Sequence, residues 1–154
     1  MAASIKRRIM ERLGTILDPL KQEKAFERVE WKRDLMVLEQ ADKAIHLVAG
    51  NEQRVAEDTQ GYTMEFLLAV KLTFKDWVEV LEKNEDLVRD VVEKLEGATV
   101  PNAQFSDADG VLVNWMTYEG NEEFIQDFNA PRGGVVLYYR LQYRRKRADA
   151  TTSY

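Results

Sequence analysis

The sequence predicts an α+β fold: an antiparallel sheet of four to five strands with two main helices packed on one face, in the order α-β-β-β-α-β-β. In residues 62–74 every second side chain is large and apolar, which predicts a long strand with one apolar face. Segments 4–18 and 76–96 repeat apolar residues at spacings of three and four, which is typical of amphipathic helices. Because a strand with one apolar face needs a covering layer, we expect both helices to pack on it. That face would consist of Tyr62, Met64, Phe66, Leu68, Val70, Leu72 and Phe74.

The composition is that of a soluble globular protein, with 154 residues of which 45% are apolar and 32% charged. We expect one domain over residues 1–147 and an exposed tail over 148–154. No apolar run reaches about 18 residues, and the N-terminus lacks the apolar core of a signal peptide, so we expect no membrane association. The absence of cysteine excludes disulfides, thiol catalysis and zinc–thiolate sites.

The N-terminal part is predicted to begin with the first helix. Ser4 is a suitable N-cap for the helix over 4–18, and Pro19 should end or kink it, because the residue before a proline is driven out of the α region. The next segments are predicted as a short strand over 25–31 and a loop over 32–43 with a helical turn near 34–38.

A long hairpin is predicted in the middle of the chain. Residues 44–56 alternate between apolar and polar, and the run 57–61 has the composition of a turn. We expect the strand over 44–56 to pair antiparallel with the strand over 62–74.

The second helix is predicted over 76–96, and Gly97 should end it. Asn84 interrupts the apolar pattern, so a shorter helix over 85–96 is the alternative. The residues that follow, 98–110, are predicted to be a loop.

The C-terminal part contains two predicted strands, 111–118 and 135–144. The polar residues between them, 119–134, are predicted to be a long connection. Together with the hairpin end at 50–61, it should project from the core and contact neighbouring subunits or partner rings in an assembly. Residues 145–154 are predicted to be exposed.

No residue pattern predicts a catalytic, cofactor-binding or metal site. The single histidine, His46, lies in a predicted strand, and no second histidine could complete a triad or a metal face. Residues 107–110 resemble part of a calcium loop, but its first and twelfth ligand positions would be Phe105 and Met116, which cannot ligate calcium as the loop requires. An Asp-Gly turn is the better interpretation, and we expect no enzyme activity and no cofactor.

The net charge of −5 conceals an uneven distribution. Residues 61–127 hold 5 basic and 15 acidic side chains, whereas residues 128–154 hold 6 basic and 1 acidic. The two groups are either solvated surface or patches that meet between copies of the protein or on a charged partner. On the second interpretation the candidate interface residues are Glu79, Glu82, Asp86, Asp90 and Glu93 on the second helix, and Arg140, Arg144, Arg145 and Arg147 at the basic end.

A family resemblance lies in three segments. They are the alternating strand that Gly61 leads, the helix ending Val91-Val92-Glu93-Lys94-Leu95-Glu96-Gly97, and the last strand, 138–144. In this order the chain resembles the tail terminator, or tail completion, proteins of tailed bacteriophages. In that family the last strand often ends in a Tyr-x-Tyr-Arg-like pattern, which Tyr139, Tyr143 and Arg144 match. The connection 119–134 and the charged segment 32–43 depart from the family's pattern.

The resemblance implies a structural protein of the virion. Members of the family form a ring, usually of six subunits, that binds the finished end of the tail tube, stops tube polymerisation and offers its other side to head-completion proteins. It implies a homo-oligomer in the tail or neck, assembled in the host cytoplasm, with tail tube protein and head-completion or neck protein as partners. No cofactor, small-molecule substrate or reaction is implied.

Two other functions remain open from the sequence. Another neck or tail-tube component would share the strand pattern. A nucleic-acid-binding module could use the basic end with Tyr138, Tyr139 and Tyr143, although the chain as a whole is acidic and specific nucleic-acid binding is not expected.

Overall fold

The computed structural model describes residues 3–24, 26–31, 42–78, 80–97, 105–107, 110–125, 132–149 and 151. The fold is α+β, as predicted, with two main helices and one short helix. The helices are α1 (Ile5–Leu17), α2 (Leu20–Glu23) and α3 (Leu81–Gly97), and the strands are β1 (Arg28–Trp31), β2 (Lys43–Ala49), β3 (Gln53–Glu57), β4 (Gly61–Phe74), β5 (Phe105–Asp107), β6 (Gly110–Val113), β7 (Trp115–Ile125) and β8 (Gly133–Lys146).

The main sheet has six strands and is mixed. Its order is β1-β2-β4-β8-β7, with β3 also paired to β4, and β1 is parallel to β2. The predicted antiparallel sheet of four to five strands is therefore wrong in strand number and in the direction of β1. Strands β5 and β6 form a separate hairpin. Strand β5 lies in the predicted loop 98–110, and the predicted strand 111–118 is divided between β6 and β7.

Strand β4 is the centre of the sheet, as predicted. It pairs with β8 over its whole length, from Gly61 opposite Lys146 to Phe74 opposite Gly133. On its other side it pairs first with β3 and then with β2. The predicted long hairpin is confirmed, but its first arm is interrupted between β2 and β3. At the tip, the Asp58 carboxylate accepts hydrogen bonds from the backbone N–H groups of Gln60 and Gly61, at 2.8 and 3.0 Å, which confirms the turn.

The core lies between the helices and one face of the sheet, which we call the helix-covered face. The Ser4 hydroxyl caps α1, and the helix ends at Leu17, before Pro19, as predicted. Phe66, Leu68 and Val70 of β4 are at most 2% exposed. The buried side chains of both helices lie in the same cluster: Ile5, Ile9, Met10, Leu13 and Leu17 of α1, and Val91 and Leu95 of α3.

Helix α3 begins at Leu81, between the two predicted starts. Asn84 is 1% exposed, and its amide donates to the backbone oxygens of Asp76 and Trp77, at 3.3 and 3.4 Å. Asn84 interrupts the apolar pattern because it holds the turn that precedes the helix. Gly97 is the last helical residue, as expected.

Two further predicted boundaries are wrong. Residues 119–125 belong to β7 and pair with β8, so this part of the predicted projecting connection is sheet. Strand β8 continues to Lys146, so residues 145 and 146 do not belong to an exposed tail. The predicted helical turn near 34–38 lies outside the described residues. No described helix is long and apolar enough to cross a membrane.

Candidate functional site

Four of the five acidic residues predicted as interface lie on one side of α3. Glu82, Asp86 and Glu93 are exposed, and Asp90 is half-buried. Asp90 pairs with Lys24 of the segment after α2 at 3.3 Å, whereas Asp86 and Glu93 approach Arg89 of their own helix at 3.5 and 4.0 Å. Glu79 lies outside the described residues.

The four predicted arginines do not form one patch. Successive side chains of a strand point to opposite faces, so Arg140 and Arg144 lie on the face opposite the helices, and Arg145 lies on the helix-covered face. Arg147 follows the end of β8. We call the face that carries Arg140 and Arg144 the helix-free face, since none of the described helices packs on it.

Arg140 belongs to a polar network on the helix-free face. Its guanidinium lies 3.2 Å from a Glu65 carboxylate oxygen and 3.2 Å from a Glu119 carboxylate oxygen. Glu65 is only 7% exposed and also accepts a 2.8 Å hydrogen bond from the Gln142 amide. The network joins β4, β8 and β7, so Arg140 has intramolecular partners for its charge.

Arg145 and Arg147 surround Tyr62 together with Arg54. The three guanidinium carbons lie 5.0, 4.9 and 5.7 Å, respectively, from the Tyr62 ring centroid. Arg147 also donates to the Tyr62 hydroxyl and lies 3.6 Å from Glu57. The cluster joins the tip of the hairpin to the end of β8.

Two buried tyrosines of β8 have perturbed acidity. Burial, then a hydrogen bond to Glu52, raises the pKa of the Tyr143 hydroxyl, and Arg145 opposes this in part. Burial, then the charge of Glu96, raises the pKa of Tyr139. Lys6 of α1 lies 3.9 Å from Glu52 and donates to the Gly50 backbone oxygen. Glu52, in the interruption between β2 and β3, thus contacts both β8, through Tyr143, and α1, through Lys6.

An apolar groove lies where α3 begins. Its volume is about 440 Å³. Val78, Leu81 and Ile125 line it and are 58, 41 and 49% exposed. Glu123 of β7 lies at its wall and Glu82 is the next residue of α3 after Leu81. We call it the α3 groove; its other lining residues are Trp77 and Phe124.

A second candidate surface lies at the opposite end of β7, on the helix-free face, and its lining is mostly polar. It is a depression of about 580 Å³ in which Trp115 and Val55 are 58 and 44% exposed. Arg144 supplies a positive charge at its wall. We call it the Trp115 patch; its other lining residues are Ala56, Thr63, Asn114 and Gln142.

The residues considered for chemistry lie apart from both regions. His46 is 1% exposed within β2. Asp107 and Gly110 are partners in the β5–β6 hairpin, which supports the turn interpretation over the calcium loop. Among the described residues, no group of three or more His, Cys, Asp or Glu side chains could hold a metal ion.

No model of a known protein family matches the chain, and no curated protein matches it. The interaction surfaces therefore rest on the geometry alone. Sequence reasoning missed both the α3 groove and the Trp115 patch, because each combines residues from segments far apart in the chain. Its one available signal was the tryptophan at position 115, within the predicted strand 111–118.

Proposed function

We propose that this protein is a structural component of a phage virion that forms a ring on the end of the tail tube, ends tube polymerisation and provides the surface that joins the tail to the head. The observation that carries the proposal is the pairing of β4 with β8: the two alternating strands on which the family resemblance rests are neighbours over 14 residues each. The last strand brings Tyr139, Tyr143 and Arg144 into that pairing.

The distribution of exposed apolar side chains also supports a protein that acts by binding other proteins. Eight large apolar side chains are exposed among the described residues, and five of them line the α3 groove or the Trp115 patch. Clustered exposed apolar residues mark interaction sites, whereas single ones are ordinary surface.

Electron microscopy of particles made without this protein tests the proposal. We expect headless tails of uncontrolled length, because nothing would stop the addition of tube subunits. Particles with normal tails would contradict the function. Tails of normal length that fail to join heads would instead favour another neck component.

A solution measurement separates the proposal from the nucleic-acid alternative. Light scattering after gel filtration should give the mass of a ring, alone or after addition of tail tubes. In the alternative, the arginines around Tyr62 would bind phosphates, and the affinity for a single-stranded oligonucleotide would fall steeply with salt. Arg54 and Arg147 already lie 2.9 and 3.6 Å from Glu57, which speaks against that use.

A further inference from the structure

We infer that copies of this chain bind head to tail, with the α3 groove of one copy receiving the Trp115 patch of the next. The inference rests on the proposed function, because it names the contact by which a ring would close. It commits to a second copy of the chain as the occupant of both surfaces.

The positions of the two surfaces favour a contact between different patches. They lie at opposite ends of β7, whose 11 residues separate them by roughly 33 Å. Ile125, in the groove, is opposite Gly133 on the helix-covered side, whereas Trp115 is opposite Gln142 on the helix-free side. Surfaces at opposite ends and on opposite sides of a subunit cannot meet within it. Between copies they produce a heterologous contact, which generates a ring when the rotation closes.

The charges of the two surfaces are complementary. The groove has Glu82 and Glu123 at its border, both exposed, and the Trp115 patch has Arg144. Opposite charges set the register of an interface, while the exposed Trp115 and Val55 side chains of the patch supply its apolar contact with the groove. A groove that bound a second groove would instead place like charges together.

Two variants test the two sides of the contact separately: Trp115→Asp alters the Trp115 patch, and Leu81→Asp alters the α3 groove. Leu81 is the first residue of α3, where an aspartate is favourable for the helix, and Trp115 is exposed. We expect each variant alone to require about tenfold or more higher concentration to assemble, as measured by sedimentation. Thermal unfolding of each variant should match that of the wild type.

The equimolar mixture of the two variants is the decisive measurement. Each copy then retains one intact surface, so one variant's groove can bind the other's patch. We expect heterodimers that grow no further. If one variant forms homodimers by itself, or the mixture stays monomeric, the head-to-tail contact is wrong.

Two further variants supply the controls. Trp31→Asp removes a tryptophan that is 48% exposed on β1, outside both surfaces, and should assemble as the wild type does. Reversing Arg144 to Glu should weaken assembly, and adding Glu123→Arg to the same chain should restore it. Loss of assembly with Trp31→Asp, or no recovery in the double variant, would overturn the inference.

The outcomes also separate this inference from the proposed function. A wild-type protein that forms rings while both aspartate variants do so equally well contradicts the contact surfaces and leaves the function in place. A wild-type protein that stays monomeric at every concentration, with and without purified tail tubes, contradicts both.

Discussion

The two faces of the central sheet differ in what buries them. On the helix-covered face of β4, Phe66, Leu68 and Val70 form an uninterrupted apolar layer under α1 and α3. On the helix-free face, Glu65 and Lys71 are each 7% exposed, whereas Leu67 between them is 42% exposed. Polarity thus predicts burial on the first face and fails to predict it on the second.

The difference teaches which information each face requires. The burial of the helix-covered face can be predicted from alternation along β4 alone, because the even-numbered apolar side chains of that strand all point into the same layer. The helix-free face depends on partners from distant strands, such as Arg140 for Glu65 and Phe124 for Lys71. A buried charge is stable only when such partners are in place.

The largest expected effect is on the helix-covered face. Phe66→Ala should lower the free energy of unfolding by about 3–5 kcal/mol, because it leaves a cavity among close-packed side chains. Its matched control is the next residue, Leu67→Ala, which should cost less than about 1 kcal/mol, because Leu67 is exposed. Urea unfolding of both variants measures the difference. Equal losses would mean that the two faces are not distinct in burial.

The same distinction explains how much of the fold could be predicted from sequence. The helix-covered face, both main helices, the long hairpin and the last strand follow from local periodicity. Residues 119–125 were predicted as a connection because they are polar. They form an edge strand, whose position is set by backbone pairing to β8 and whose side chains need not be apolar. The direction of β1 depends on the chain between β1 and β2, which no local pattern specifies.

The candidate site was less predictable than the fold. The sequence correctly separates an acidic helix from a basic end, but period 2 divides the basic end between the two faces, so that Arg140 and Arg145 cannot act together. Arg140 also has a partner, Glu119, in a segment that the sequence did not predict to be a strand. Whether the charged residues contact other subunits stays a prediction.

The next effect concerns the network on the helix-free face. Glu65→Ala should lower the free energy of unfolding by about 1–3 kcal/mol, since it removes buried hydrogen-bond acceptors from Arg140 and Gln142. Glu119→Ala removes the more exposed partner of the same arginine and should cost less than about 1 kcal/mol. Denaturant midpoints of the two variants measure these losses. A larger loss of unfolding free energy for Glu119→Ala than for Glu65→Ala would mean that burial does not determine the strength of this network.

The loss of stability at alkaline pH should differ between the two faces, because their tyrosines are buried to different degrees. Tyr139 and Tyr143 of the helix-covered face have pKa values raised above the usual 10.0, mainly by burial. The unfolded chain releases these protons near pH 10 while the folded chain keeps them. The folded state is therefore fully favoured below that pH and loses about 1.4 kcal/mol per pH unit for each tyrosine above it.

Substitution by phenylalanine measures these contributions one at a time. Tyr143→Phe should make the fall in unfolding free energy above pH 10 shallower by one proton's slope. On the helix-free face, burial and Glu122 raise the pKa of Tyr138 to a lesser degree, so Tyr138→Phe should relieve less of the slope. Urea titrations between pH 9 and pH 11.5 test this, and parallel curves for wild type and Tyr143→Phe would exclude the linkage.

The smallest expected effect comes from the contact between Lys71 and Phe124. These two side chains meet across β8, on its neighbouring strands β4 and β7. The Lys71 ammonium lies 4.9 Å from the Phe124 ring centroid. A cation over an aromatic ring contributes about 0.5–1 kcal/mol at exposed sites and about 2 kcal/mol when it is desolvated. Phe124→Leu keeps an apolar side chain without the ring, and Lys71→Met keeps the length without the charge. Each single change also alters other contacts, so the coupling must come from a double-mutant cycle of unfolding free energies on the monomer. We expect a coupling of about 0.5 kcal/mol or more. Additive losses would mean that apolar packing alone holds this end of the helix-free face, as it does the helix-covered face.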